Sequence, residues 1–336
     1  MRAWHSQDRH VVRVEWGQSG ALSLCRYAAE LGCAVTAVVV DVLSFTTCVS
    51  VAADTGITVL PYRWRDEGAE TFAHAQDATL ARARRVAVVE GGVSLSPGSI
   101  RAAEGVRRLV LPSPNGSTIS TLLAETGARV VAASLRNRAA VGRWLADQLT
   151  VTESIAAGSS EPSETAGSSE PSETAEPSEP SETAGTAETA GSSESSEPAQ
   201  SLRAAGDARA GDHPGPVLLV VPAGERWPDG SLRPAIEDLW GAGGVIAELA
   251  DTLGHHAGPP LVSPEAQAAL AAYRDVGDRL TEALAECSSG RELIAQGYAD
   301  DVSIAAELDA SSQAPILTAG AFLPQTHREL GMSHRL

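Results

Sequence analysis

The sequence predicts a layered α/β domain, and three observations predict it. Short apolar strands alternate with helix-like stretches through the first 150 residues, the pattern of an α/β layer architecture. Two of the strands, Val35–Val40 and Val217–Val221, are unbroken apolar runs rich in β-branched residues, as expected when both faces of a strand are buried. Between these halves lies a stretch with the composition of a chain that does not fold.

Taken in order, Val11–Trp16 reads as a strand, and Ala21–Leu31 as a helix with Leu24, Tyr27, Ala28 and Leu31 on one face and Gly32 as its stop. Val35–Val40 is the next strand and ends at Asp41. A helix is expected over Phe45–Ala53, a strand over Ile57–Leu60 and an Ala-rich helix over Ala69–Ala83. Val86–Val89 is read as a strand ending at Glu90, and Arg108–Leu111 as another. Then follow a helix over Ser117–Glu125, a strand over Val130–Ala132 and a helix over Ala139–Leu149. After the interruption come the strand Val217–Val221 and a Gly-containing helix over Ile236–Leu249. Ser263-Pro264-Glu265 has the cap, the N1 proline and the acid of a helix start. Ala269, Tyr273, Val276, Leu280 and Leu284 follow it as one core stripe.

The interruption, residues 151–206, holds Ser, Glu, Pro, Thr, Ala and Gly, with Ser-Ser-Glu-Pro-Ser-Glu-Thr-Ala repeated at 159–166 and 168–175. It is expected to be a disordered insertion, because it lacks apolar area to offset an ordering entropy of roughly 1–2 kcal/mol per residue. The folded domain is then 11–150 plus 207–323, with 324–336 a flexible tail. The insertion contains eleven glutamates and supplies much of the net charge of −18. That charge argues against nucleic acid and anionic membrane surfaces as partners. An interaction role for the acidic tract is the weakest of the readings, since such runs are usually solvated.

No apolar run reaches the roughly 20 residues of a membrane span, and residues 1–10 lack the apolar core of a signal peptide. A reducing, cytoplasmic setting is the expectation. Cys25, Cys33, Cys48 and Cys287 form no Cys-x-x-Cys pair, a spacing that disfavours a zinc site, and Cys25 and Cys33, in or beside a helix-like stretch, read as small core residues. The sequence leaves open whether the chain forms a homo-oligomer.

Three places carry oxygen chemistry. Asp41 follows a buried strand, where ligands of open α/β sheets collect, and a carboxylate there suits Mg²⁺; the bland reading is a helix cap. Ser44, Thr46 and Thr47 follow, able to accept an anion at a helix start or simply to cap it. Ser113-Pro114-Asn115-Gly116-Ser117-Thr118 is a second turn of donors, with Asn-Gly expected to take positive φ, although it is no Walker loop. Glu237 and Asp238 are adjacent near a helix start. They point about 100° apart on a regular helix, so that one ligates while the other orients, or the helix begins between them; the bland reading is two solvated acids at the dipole's positive end. No Ser-His-Asp set and no Gly-x-Ser-x-Gly elbow is present.

Together these segments resemble the 2-phosphosulfolactate phosphatase family. The resemblance rests on Val38 to Thr47 against Asp-Val-Leu-Arg-Ala-Thr-Thr and on Ser113 to Ser117 against Thr-Thr-Asn-Gly-Thr. It continues through Ser134 to Val141, Ala223-Gly224 with Glu237-Asp238, and Gly290 to Val302 with Leu308-Asp309, all in the family's order. It implies a three-layer α/β/α fold with a mixed, mostly parallel sheet. It also implies Mg²⁺-dependent hydrolysis of 2-phospho-3-sulfolactate, a small anionic phosphoester, to sulfolactate and phosphate. In that reading Asp41, Glu237 and Asp238 are the metal-binding and acid–base residues. Ser44, Thr46, Thr47, Asn115, Gly116, Ser117, Thr118 and Asn137 are the substrate-binding set.

The sequence departs from the pattern in five places. Ser44 stands for an Arg, Gly92–Pro97 is a shortened loop, Ser113-Pro114 replaces Thr-Thr, Pro222 replaces Cys, and Trp227–Gly230 is inserted. These changes keep a second reading open: a non-catalytic or substrate-shifted anion-binding protein on the same fold.

Overall fold

The computed structural model describes residues 5–63, 68–158, 215–254 and 261–323. The acidic segment from 159 onward and the tail 324–336 lie outside the described residues.

The first part of the chain runs β1 (Val12–Val14), α1 (Gly17–Glu30), β2 (Val35–Val40), α2 (Phe45–Asp54), β3 (Thr58–Tyr62), α3 (Gly68–Ala75), β4 (Thr79–Leu80), α4 (Arg84–Glu90) and α5 (Pro97–Arg101). It continues through β5 (Arg108–Pro112), α6 (Gly116–Glu125), β6 (Arg129–Ala133) and α7 (Arg138–Gly158). After the acidic segment come β7 (Val217–Pro222), β8 (Glu225–Arg226), β9 (Leu232–Arg233), α8 (Ile236–Leu253), α9 (Pro264–Val276) and α10 (Leu280–Glu286). The last elements are α11 (Ser288–Ala295), α12 (Ala299–Ala305), β10 (Ile316–Thr318) and β11 (Ala321–Leu323).

One mixed sheet organises residues from both sides of the interruption, in the order β1-β7-β2-β6-β10-β11-β3-β5-β4. β1, β7, β2 and β6 are mutually parallel, as are β3, β5 and β4. The β10–β11 hairpin joins the two ribbons through antiparallel pairs on both sides. β2 is central, and its alternate residues face two cores. Val38 and Val40 meet Trp144, Leu145, Val245 and Ile246 of α7 and α8 on one face. Ala37 and Val39 meet Leu24, Phe45 and Ile119 of α1, α2 and α6 on the other. The expected α/β/α layering follows from this double burial. α2 is buried from Phe45 to Ala53 and packs against β3 and β6, so its N-terminus is fixed deep in the molecule.

Four expectations are corrected. Val86–Val89 lies in α4, not in a strand; β4 already holds the edge beside β5, which leaves the valine run no partner to pair with. The helix expected over Ala69–Ala83 ends at Ala75, where Asp77 turns with φ 48° into β4. The final helix of the first half runs past Leu149 to Gly158. The stripe from Ala269 to Leu284 is broken at Gly277, whose φ of 46° ends α9 before α10 begins.

Candidate active site

Asp41 and Asp238 are built into the backbone. Asp41 leaves the carboxyl end of β2 and is 5% exposed. Its Oδ1 accepts the Phe45 N–H at 3.1 Å, at the start of α2, and its Oδ2 accepts the Gly116 N–H at 2.9 Å, at the start of α6. The carboxylate thus sits where the positive ends of two helix dipoles meet. Asp238, in the first turn of α8, accepts the Val42 N–H at 2.7 Å and the Gly224 N–H at 2.8 Å. Through it the turn after β2 is clamped to the turn after β7.

Gly116 is glycine because of this approach. A Cβ there would lie 2.3 Å from the Phe45 ring and 2.7 Å from Asp41 Oδ2. The positive φ expected for the Asn115-Gly116 turn is absent; steric room, not backbone handedness, selects the residue. The amide expected to face a substrate anion is instead given to Asp41.

Two glutamates complete an acidic cluster. Glu237 is 2% exposed, receives no backbone N–H among the described residues, and lies within hydrogen-bond reach of the Cys287 thiol. Glu225, on β8, accepts the Asn115 side-chain amide at 2.9 Å through Oε2. Burial pushes the Asp41 carboxyl up to about 6, with Glu237 adding repulsion and the two amides opposing the rise. Burial, then Asp41, pushes Glu225 up to about 7. Asp238 is raised well above the usual range by burial and by Glu237 and Asp41. Of these carboxylates, Glu225 lines a pocket of about 310 Å³, with Trp16, Gln18, Ser19, Asn115, Arg226 and Ser231 around it.

The hydroxyls expected to bind an anion have backbone partners. Thr46 Oγ1 donates to the Asp41 carbonyl and accepts the Asp41 N–H, and Thr47 donates to the Val42 carbonyl at 2.7 Å. Ser117 donates to the Leu111 carbonyl at 2.6 Å, and Thr118 to the Ser113 carbonyl at 3.1 Å. They fasten α2 to the end of β2, which presents Asp41, and α6 to the end of β5. Asn137 is fully buried, with its Oδ1 taking the Ser134 N–H and hydroxyl and its Nδ2 donating to the Ala132 and Gln313 carbonyls. Its polar capacity is spent on the β6–α7 turn. Asn115 does reach the pocket, bridging Glu225 and Arg226.

Residues the sequence reading did not single out complete the surroundings. Arg84 donates through Nη2 to Ser44 Oγ at 2.8 Å and through Nε to Asp301 at 3.1 Å. A guanidinium therefore lies against the serine that stands in place of the family's arginine. Arg233 opposes the charge-driven rise of Glu225 and stacks on Trp227, with 5.8 Å between the guanidinium carbon and the ring centroid. Glu225 and Arg226 belong to the small β8–β9 hairpin formed around the inserted Trp227–Gly230 turn, which makes one wall of the pocket.

Among the described residues, no group of three or more His, Cys, Asp or Glu is arranged to hold a metal ion, and no helix is long and apolar enough to cross a membrane. Magnesium asks for less than a full protein cage: one or two carboxylates, waters and the substrate's phosphate oxygens. The donors at this centre are carboxylate oxygens, the hard ligand type that Mg²⁺ takes, and their mutual repulsion is what a dication would relieve. The family comparison agrees with the geometry. The 2-phosphosulpholactate phosphatase model matches residues 27–164 and 208–320, spanning the segments that supply Asp41, Asn115, Gly116, Glu225, Glu237 and Asp238 and passing over 165–207. The chain belongs to the 2-phosphosulpholactate phosphatase family.

Proposed function

We propose that the chain is a Mg²⁺-dependent phosphoric monoester hydrolase that converts 2-phospho-3-sulfolactate and water to 3-sulfolactate and phosphate. The observation that carries this reading is the convergence of Asp41, Glu225, Glu237 and Asp238 beside a small polar pocket. Family membership supports the reaction class.

The residues divide the work. Glu237 has no amide donor among the described residues and is the best-placed ligand for the cation, with Asp41 contributing through the lone pairs its two amides leave free. Asp238, both of whose oxygens hold main-chain amides, is a positioning residue. The bound dication would neutralise phosphoryl charge, which is most of what phosphoryl transfer requires of its site. Glu225 is the carboxylate that water in the pocket can reach, and Asn115 fixes its orientation, so it takes the proton of the attacking water. The water oxygen bonds to phosphorus as its proton passes to Glu225, the ester P–O bond breaks, and the departing alkoxide takes a proton from pocket water, which the proton on Glu225 replaces.

The test is phosphate release from 2-phosphosulfolactate and a panel of small phosphate monoesters. Turnover that stops with EDTA, returns with Mg²⁺ and is lost in Asp41→Asn is expected. No turnover on any ester would defeat the proposal.

A further inference from the structure

We infer that Arg84 is the residue that grips the oxyanion of the substrate, and that α4 is the arm that delivers it. This deepens the phosphatase reading, on which it rests for the identity of the ligand.

α4 buries none of its residues, and Val86, Val88 and Val89 are 39%, 76% and 83% exposed. No apolar face holds the helix down. Its loop is closed at the base, where the Arg82 N–H donates to the Val93 carbonyl at 2.8 Å, and it re-enters through Gly91 and Gly92, at φ 78° and 103°. The inward attachment is the Arg84 side chain. Nε binds Asp301 at 3.1 Å, Nη2 binds Ser44 at 2.8 Å, and the guanidinium lies 5.3 Å from the centre of the Tyr298 ring. Asp301 is 3% exposed and is itself held by the Ser96 hydroxyl at 2.6 Å, so the guanidinium is oriented from behind.

An arginine carries five N–H donors. Two are used here, and Nη1 has no acceptor among the described residues. The spare edge belongs to a guanidinium bonded to Ser44, the N-cap of the helix whose first amide holds Asp41. A pre-oriented guanidinium with unused parallel N–H groups matches a phosphate or sulfonate bidentately, which a lysine does not. A purely structural ion pair to Asp301 would need neither the free edge nor the contact to Ser44 at the N-terminus of α2.

The test is calorimetric titration of the full chain with inorganic phosphate, and separately with methanesulfonate, in the presence of Mg²⁺. Circular dichroism serves as the folding control. Arg84→Gln should weaken binding of the recognised anion on the order of 10- to 100-fold. Arg84→Lys should not restore it, and millimolar guanidinium should restore part of it to Arg84→Gln. The anion that loses affinity identifies the phosphoryl or the sulfonate end as the one held. Bound phosphate should also slow tryptic cleavage after Arg85. Unchanged affinity for both anions in Arg84→Gln, or full recovery with lysine, would overturn the inference. Arg84-dependent anion binding without hydrolysis of any ester would sink the phosphatase reading and leave this one standing. Unaltered kcat/KM in Arg84→Gln would sink this one alone.

Discussion

Gly116→Ala separates this account from a local reading of the sequence. Gly116 opens α6, and alanine in a helix is favoured over glycine by about 1 kcal/mol. Propensity alone therefore predicts a gain. The structure predicts a loss, because the new methyl would meet the fully buried Phe45 ring at 2.3 Å and Asp41 Oδ2 at 2.7 Å. Overpacking of this kind costs about 1–3 kcal/mol. Displacing Asp41 from the Gly116 N–H removes a charge-assisted bond worth about 1.5–3 kcal/mol. After the propensity gain, the net loss is about 1.5–5 kcal/mol. Urea denaturation followed by circular dichroism reads it as a lower midpoint with unchanged slope. Turnover should fall about 100-fold as the carboxylate shifts. A midpoint equal to or above that of the wild type would refute the reasoning.

The remaining predictions concern the acids and the interruption. Asp238→Asn leaves one of the Val42 and Gly224 amides facing an NH₂ group and should cost about 1–3 kcal/mol in urea denaturation. Glu237→Gln removes charge from the cluster without orphaning an amide, so its midpoint should hold or rise while turnover falls on the order of 100-fold. Asp41 and Glu225 are raised to about 6 and about 7, so the folded chain binds more protons than the unfolded chain between their ordinary values and these. Stability should therefore fall as pH rises through that window, with Asp41 alone costing on the order of 3 kcal/mol once ionised. In thermal-shift assays with EDTA the midpoint should be higher at pH 5.5 than at pH 8, and Mg²⁺ should recover the difference at pH 8; a rise with pH would contradict this. Deleting residues 165–207, which the family match passes over, should leave both midpoint and turnover unchanged.

The strand Val35–Val40 and its terminal Asp41 were legible because a strand buried on both faces writes a continuous apolar run. The valines of α4 carry the same local signal, yet strand identity also needs a free neighbour, which no window of sequence displays. The adjacency of Glu237 and Asp238 shows in the sequence that the two point apart, while no window of sequence shows that Asp238 is the one that holds amides. Thr46, Thr47, Ser117 and Thr118 read as anion donors because their type was visible and their carbonyl partners, five or six residues back, were not. Arg84 escaped notice for a related reason: its partners Ser44 and Asp301 lie 40 and 217 positions away.

The most direct test of the shared centre is the anomalous signal of Mn²⁺ in crystals grown with inorganic phosphate. The account predicts one metal peak at the Glu237 carboxylate, with Asp41 still on the Phe45 and Gly116 amides, Asp238 still on Val42 and Gly224, and phosphate against the metal. A metal bound elsewhere, or phosphate remote from all four carboxylates, would contradict it.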